Sequence, residues 1–399
     1  MAKSFLFVIL VLHFLLITNS INPTDFAALR QIKNSLTDIP STSRFFSSWD
    51  FSAATDPCSS FAGVTCSATR VTILTLGTGL SDSPGLAGTL SPAIADLSEL
   101  TQLILFAGIV TGPIPPQLAA LRNLKVLSLT NNRLSGGVPP EILRLPTLHT
   151  LDLSRNQLSG SIPPPPPAAN SLKILVLASN RLSGQIPRAL PPQLLHLDLS
   201  NNHLSGALPP RMPPALRYLS AANNRLWGPL NGLESLSELA YLDLSMNQFS
   251  GPIPSWLLRR SVTSLLLQRN NLSGGVPPSP SWPSVAGSTV DLSHNFLSGE
   301  LTAALAGAET LFLNNNRFGG GVPAEYVERV VAGAMKTLYL QHNYLTGFPL
   351  EVGSVLPDAA AVCVSYNCMA APPLGLAACP VSAGDQLSRP ASQCSTRIP

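Results

Sequence analysis

Charge is scarce in this chain. Of 399 residues only 24 are Lys or Arg and 21 are Asp or Glu, leaving a formal net charge of +3. The basic residues are dispersed, and no stripe of them alternates with aromatics, which excludes nucleic acid as a partner. Cysteine is missing from the whole stretch between Cys66 and Cys363. Catalytic signatures are missing too. There is no phosphate-cradling glycine loop, no His-Glu-x-x-His, no Gly-x-Ser-x-Gly elbow and no kinase motif. His149, His196, His203, His294 and His342 are scattered along the chain. The sequence therefore reads as a non-enzyme that needs no cofactor. One apolar run stands out, Phe5 to Ile17, and no other stretch is long enough to cross a bilayer.

That run follows Lys3 and precedes Thr18, Asn19 and Ser20, the layout of a secretory signal peptide over residues 1–20. The mature chain is expected outside the cell, with no transmembrane span and no lipid anchor at its end. Six cysteines agree with an oxidising compartment: Cys58, Cys66, Cys363, Cys368, Cys379 and Cys394. No Cys-x-x-Cys occurs and no histidine lies among them, which argues against zinc and leaves disulfides at the two extremities. The segment "NCMAAPPLGLAAC" suggests Cys368 with Cys379 and Cys363 with Cys394, one choice among the fifteen pairings that six cysteines allow.

Between these ends the chain repeats. The segments "LKVLSLTNNRLSGGVP", "LHTLDLSRNQLSGSIP", "LKILVLASNRLSGQIP" and "LLHLDLSNNHLSGALP" share the frame Leu-x-x-Leu-x-Leu-x-x-Asn-x-Leu-Ser-Gly-x-(Ile/Val/Leu)-Pro. Its asparagines are Asn132, Asn156, Asn180, Asn202, Asn224, Asn247, Asn270, Asn295, Asn316 and Asn343, spaced 24, 24, 22, 22, 23, 23, 25, 21 and 27 residues apart. Two weaker copies precede them, with Gly79 and Gly108 at the asparagine position. The alternating x-Leu-x-Leu-x segment predicts a short strand with its leucines on one side. A coil this small cannot bury its own leucines, so neighbours must stack and the strands form a long parallel sheet. The framed asparagine offers two donors and an acceptor to the backbones of adjacent coils. "LSG" reads as the turn element of each coil.

Pro163 to Pro167 look at first like a linker. They sit between Asn156 and Asn180, 24 residues apart as in the preceding coil, so nothing is inserted and the prolines belong to the back of one repeat. The expected organisation is a signal peptide (1–20), an N-terminal cap (21–70), about twelve coils (71–358) and a C-terminal cysteine-containing cap and tail (359–399), as a single domain.

The frame resembles the plant-specific class of leucine-rich repeats over about residues 25–380. The resemblance implies an α/β solenoid: a right-handed superhelix with a parallel sheet on the concave face, a 3-10 or polyproline convex side and disulfide-bonded caps. "TDFAALRQIKNSL", "FSSWD" and "DPCSSFAGVTC" resemble that family's N-terminal cap. Phe26, Leu29, Ile32 and Leu36 would form the apolar face of a capping helix. Cys58 and Cys66 match the cap's cysteine pair. Phe61 and Ala62 stand where the family commonly has Trp before Gly63-Val64.

The same resemblance implies binding rather than catalysis, on the residues that alternate with the strand leucines and on those just after the strand. The candidates are Arg155, His196, Tyr218, Tyr241, Arg269, His294, Phe312, Tyr339 and His342, because aromatics and arginine carry most interface energy. The expected function is a secreted, receptor-like recognition protein that takes a protein or peptide on its concave face, with a membrane co-receptor as a further partner. An inhibitor of a wall-degrading enzyme, of the polygalacturonase-inhibiting type, and a structural wall protein are the alternatives. The chain carries two cysteines in its N-terminal cap where those inhibitors carry four. Asn271-Leu272-Ser273 is a glycosylation sequon.

Overall fold

The computed structural model describes residues 21–39, 44–52, 55–79, 85–165, 171–259, 262–278, 287–351, 355–370, 379–384 and 386–394. The signal peptide expected at 1–20 lies outside the described residues, as do Pro166 and Pro167 of the proline run. Backbone proximity divides the chain into two compact units, residues 1–181 and 182–399.

The first unit begins with the helix Pro23–Ser35, capped by the Asn22 side chain, which accepts from the Thr24 amide. It buries Leu29 and Ile32 as the apolar spacing requires, with Ala28 and Asp25, but Phe26 is only half-buried and Leu36, expected on the helix, is buried in the strand Leu36–Asp38 that follows it. Around the fully buried Trp49 gather the rings of Phe45, Phe46, Phe51 and Phe61. Phe61 stacks on Trp49 at 5.2 Å, so it supplies the aromatic that the cap needs before Gly63-Val64. Behind this cap, Arg70–Leu76 pairs antiparallel with Val64–Ser67. It pairs in parallel with Gln102–Leu105, which is followed by Val126–Ser128, Thr150–Asp152 and Ile174–Val176. Leu74, Leu103, Leu127 and Leu151 align across these strands, each with no exposed surface.

The second unit continues the pattern with His196–Asp198, Tyr218–Ser220, Tyr241–Asp243, Ser264–Leu266, Thr289–Asp291, Thr310–Phe312, Thr337–Tyr339 and Ala361–Cys363, all parallel. Its inward column is Leu197, Leu219, Leu242, Leu265, Val290, Leu311, Leu338 and Val362, none more than 1% exposed. The coil backs carry short 3-10 turns such as Leu230–Leu233 and Leu257–Arg259. The exception is Ala324–Val331, an α-helix. It falls in the coil between Asn316 and Asn343, the longest spacing at 27, because a rise of about 1.5 Å per residue fits more chain into one coil back.

Two expectations need correction. "LSG" is a strand and not merely a turn: Arg133–Gly136, Gln157–Ser161, Arg225–Gly228, Asn271–Gly274 and their equivalents form a second parallel sheet within each unit. The leucine of each "LSG" is buried, and its amide is held by an asparagine of the next coil, which locks the segment into extended pairing. The C-terminal pairing is also different. Cys58 joins Cys66, but Cys363 joins Cys379 and Cys368 joins Cys394. Cys363 ends the last strand in register with Tyr339, on the sheet side over which 381–383 folds to reach His342. Cys379 enters that segment, whereas the Ala391–Cys394 turn follows Arg389, which sits on Tyr344 and Tyr366. Chain return, not sequence proximity, decides the partners.

Candidate functional site

Each strand of the longer sheet turns its leucines inward, so the residues between them stand half-exposed on the open face. In the second unit, His196, Tyr218 and Tyr241 occupy the same position on consecutive coils and pair in register. Their rings stack. His196 lies 4.0 Å from Tyr218 with planes 1° apart, and Tyr218 lies 4.4 Å from Tyr241 at 4°. Strand spacing of about 4.8 Å makes this the natural arrangement for planar side chains in one register. Burial pushes the Tyr218 hydroxyl well above its ordinary value, with smaller pushes from Asp198, Tyr241 and Asp243. Tyr241 is raised in the same sense, by burial first and then by Asp243. Both phenols stay neutral donors.

Two residues further along each strand runs an acidic column. Asp198, Asp243 and Asp291 alternate with Ser220, Leu266 and Phe312. Each aspartate folds back on the serine two residues on. Asp243 Oδ1 accepts from the Ser245 amide at 3.0 Å and its hydroxyl at 2.6 Å, and Asp198 does the same with Ser200. These bonds end the strand. Burial raises the Asp291 carboxyl; the Ser293 bonds and the nearby Arg269 pull it down, and Asp243 pushes it up again. Asp152 forms the same turn with Ser154 in the first unit.

The structure distributes the other candidates unevenly. Phe312 and Tyr339 meet edge to face at 5.2 Å. Arg269 is exposed beside Asp291 and His294, and burial, with Arg269 and His342, lowers the His294 imidazole below its ordinary value. His342 is drawn into the C-terminal cap: Nε2 lies 3.1 Å from the Ala383 carbonyl and the ring rests against Tyr366. Arg155 belongs to the first unit, exposed.

Arg155, Arg269, His294 and His342 share a feature that their spacing did not reveal. With Asn131, Ser179, Asn201, Asn223, Met246 and Asn315 they sit at φ between 53° and 59°, in the left-handed turn that follows each strand. Asparagine suits that conformation, whereas the bulkier residues are strained in it. The framed asparagine comes next. Asn295 donates to the Leu267, Leu292 and Ser293 carbonyls and accepts from the Leu272 amide, all at 3.0–3.2 Å. Asn367 extends this ladder by one coil, with bonds to Leu340, Val364 and the Leu345 amide. At Gly108 a Cβ would stand 2.6 Å from the Leu86 carbonyl, so no asparagine fits there. Asn271 is exposed on the second sheet.

Comparison with known proteins places these features. The profile described as Leucine rich repeat N-terminal domain matches residues 22–67. That for Leucine Rich repeats (2 copies) matches 122–170, and that for Leucine Rich Repeat matches 171–192, 193–213 and 238–259. Among solved structures, the PEPR1–AtPEP1 complex is 27% identical over 87% of this chain and 52% of its own, with a TM-score of 0.67. The receptor-kinase ectodomain GASSHO1/SCHENGEN3 of Arabidopsis thaliana, in complex with CASPARIAN STRIP INTEGRITY FACTOR 2, is 26% identical over 85% and 50%, with a TM-score of 0.59. The plant peptide hormone receptor RGFR1, in complex with RGF2, is 26% identical over 71% and 54%, with a TM-score of 0.55. This chain thus spans about half the length of each. No curated protein matches it.

Proposed function

We propose, from the leucine-rich-repeat profiles that match parts of the chain and from a fold like plant receptor-kinase ectodomains, that the chain is an extracellular, receptor-like recognition protein. It takes a peptide or an extended protein segment on the open, concave face of the sheet in residues 182–399. The observation that carries this reading is the row His196–Tyr218–Tyr241: three rings held half-exposed in one register beside Asp198 and Asp243. Rigid aromatics are the usual anchors of an interface, since they add contact area at little conformational cost. The strands supply the scaffold, and their outward side chains supply selectivity.

Disulfides at both ends of the described chain fit an oxidising exterior. No described helix is long and apolar enough to cross a membrane. A glycan at Asn271 would stand on the second sheet, clear of the ring row; an unshifted mass after glycosidase treatment of the secreted chain removes it. The function is tested by isolating secreted peptides on the immobilised chain and, in parallel, assaying secreted wall hydrolases with it. Recovery of peptides that the double variant Tyr218→Ala/Tyr241→Ala fails to retain supports the reading. Dose-dependent loss of hydrolase activity would contradict it.

A further inference from the structure

The aromatic row ends abruptly. The residue in register with Tyr241 on the next coil is Ser264, followed by Thr289. Tyr218 covers one face of the Tyr241 ring at 4.4 Å. Among the described residues no other ring and no cation lies against the opposite face, and Ser264 is too small to cover it. The open face therefore has a notch beside the free face of the ring, with Tyr241 as its wall and Ser264, then Thr289, as its floor. The ring spacings of 4.0 and 4.4 Å show what thickness each coil accepts: one planar group.

The side of the notch is acidic. Asp243 stands two residues from Tyr241 on the same strand, and Leu266 and Asp291 follow it in register. Both bonds to the Asp243 carboxylate end on Oδ1, at 2.6 and 3.0 Å, so Oδ2 is left for a ligand. Asp243 has no ion pair among the described residues. Arg269 lies nearby and pulls on the Asp291 carboxyl. Asp243 and Asp291 repel one another across the coil between them, and since Arg269 offsets Asp291, the negative charge beside Ser264 is that of Asp243.

A group that fits must be planar, about one ring thick, cationic and able to donate sideways. An aromatic ring meets the first two conditions but not the charge. An ammonium meets the charge but is not planar. A guanidinium meets all four, because it stacks on aromatic faces and donates to carboxylates from its edge. We propose that the notch over Ser264 receives an arginine side chain of the bound peptide, with its plane continuing the His196–Tyr218–Tyr241 stack and its N–H groups donating to Asp243 Oδ2. This rests on the reading of the open face as a peptide-binding surface and gives that surface an anchor.

The test uses the full chain and three blocked pentapeptides, Gly-Gly-X-Gly-Gly, with X as arginine, lysine or citrulline. Citrulline keeps the plane and loses the charge, and lysine does the reverse. The arginine peptide should bind about fivefold or more tighter than the citrulline peptide, with lysine between them. Asp243→Asn, which keeps an oxygen for Ser245, should bring arginine down to the citrulline level and leave citrulline unchanged. Ser264→Trp, which fills the notch, should abolish the difference by another route. Equal binding of arginine and citrulline peptides, or a preference that survives Asp243→Asn, overturns the proposal. The wider reading fails separately. A natural peptide held on the open face at full strength by Asp243→Asn removes the arginine site alone. An arginine preference lost in Asp243→Asn, with no natural peptide recovered, removes the receptor reading alone.

Discussion

Asp25 and Arg70, 45 residues apart, lock the N-terminal helix to the strand Arg70–Leu76. The Arg70 Nε lies 3.1 and 3.2 Å from the two Asp25 oxygens and Nη2 3.0 Å from one of them, while the Val71 amide donates to the same carboxylate at 2.8 Å. Asp25 has no exposed surface. The Arg70 side chain keeps 29% of its surface exposed, so neutralising Asp25 weakens charge-assisted bonds without stranding a buried charge. Asp25→Asn should therefore cost about 2 kcal/mol of stability, read as a lower denaturant midpoint. A loss below about 1 kcal/mol would mean that the helix is held by its apolar face alone.

The asparagine ladder makes a similar demand on every coil. Asn295→Ala strands the Leu272 amide and removes donors from the Leu267, Leu292 and Ser293 carbonyls. With Asn295 only 6% exposed, water cannot replace those bonds, and the change should cost roughly 3 kcal/mol by urea denaturation. Asn271→Ala, exposed on the second sheet, should cost a few tenths of that.

Met246 runs the other way. It occupies the left-handed turn at φ 55° with nearly half its surface exposed, where the preceding coils have Asn201 and Asn223. Met246→Asn should relieve backbone strain and raise stability by about 0.5–1 kcal/mol, seen as a higher Tm. An unchanged or lower Tm would show that the methionine side chain makes contacts worth more than the strain.

His294 links the open face to pH. Its folded value lies below 6.5, chiefly because burial disfavours the imidazolium and next because Arg269 and His342 repel it. The unfolded chain then binds the proton more readily, so this contribution to stability is complete above the ordinary imidazole value. It is lost as pH falls through the folded one. His294→Asn, which tolerates the positive φ, should lose less stability between pH 7.5 and pH 5.5 than the unaltered chain does. Asp291, raised by burial, works in the opposite sense but at the lower pH of a carboxylate. Equal losses in both chains would place the imidazole outside this balance.

How legible was all this in the sequence? The leucine and asparagine frame was plain because its contacts are between neighbouring coils, and one coil is one period. His196, Tyr218 and Tyr241 are 22 and 23 residues apart, so their adjacency follows from the same count. Relationships set by chain return were hidden. The spacing suggested Cys368 with Cys379, but the fold of 381–383 over His342 puts Cys379 with Cys363. That same fold takes His342 into the cap. Nothing in the pattern marked Asp25, which looks like an ordinary first-turn acid, as the partner of Arg70. The left-handed turn was also invisible, because Arg155, Met246 and His294 occupy it as readily as Asn201 and Asn223. The second sheet was missed because "Leu-Ser-Gly" reads as a turn until its leucine amide is seen bonded to the next coil's asparagine.

The claim that the open face of residues 182–399 holds a peptide is tested most directly by site-specific photo-cross-linking. A benzophenone side chain is placed in turn at Tyr218, at Tyr241 and, as a control, at Trp227, which is 53% exposed on the second sheet. Irradiation in the presence of the secreted peptide fraction, followed by mass spectrometry, should give peptide adducts at positions 218 and 241 and none at 227. Adducts at 227 with none at 218 or 241 would put recognition on the second sheet and contradict the account.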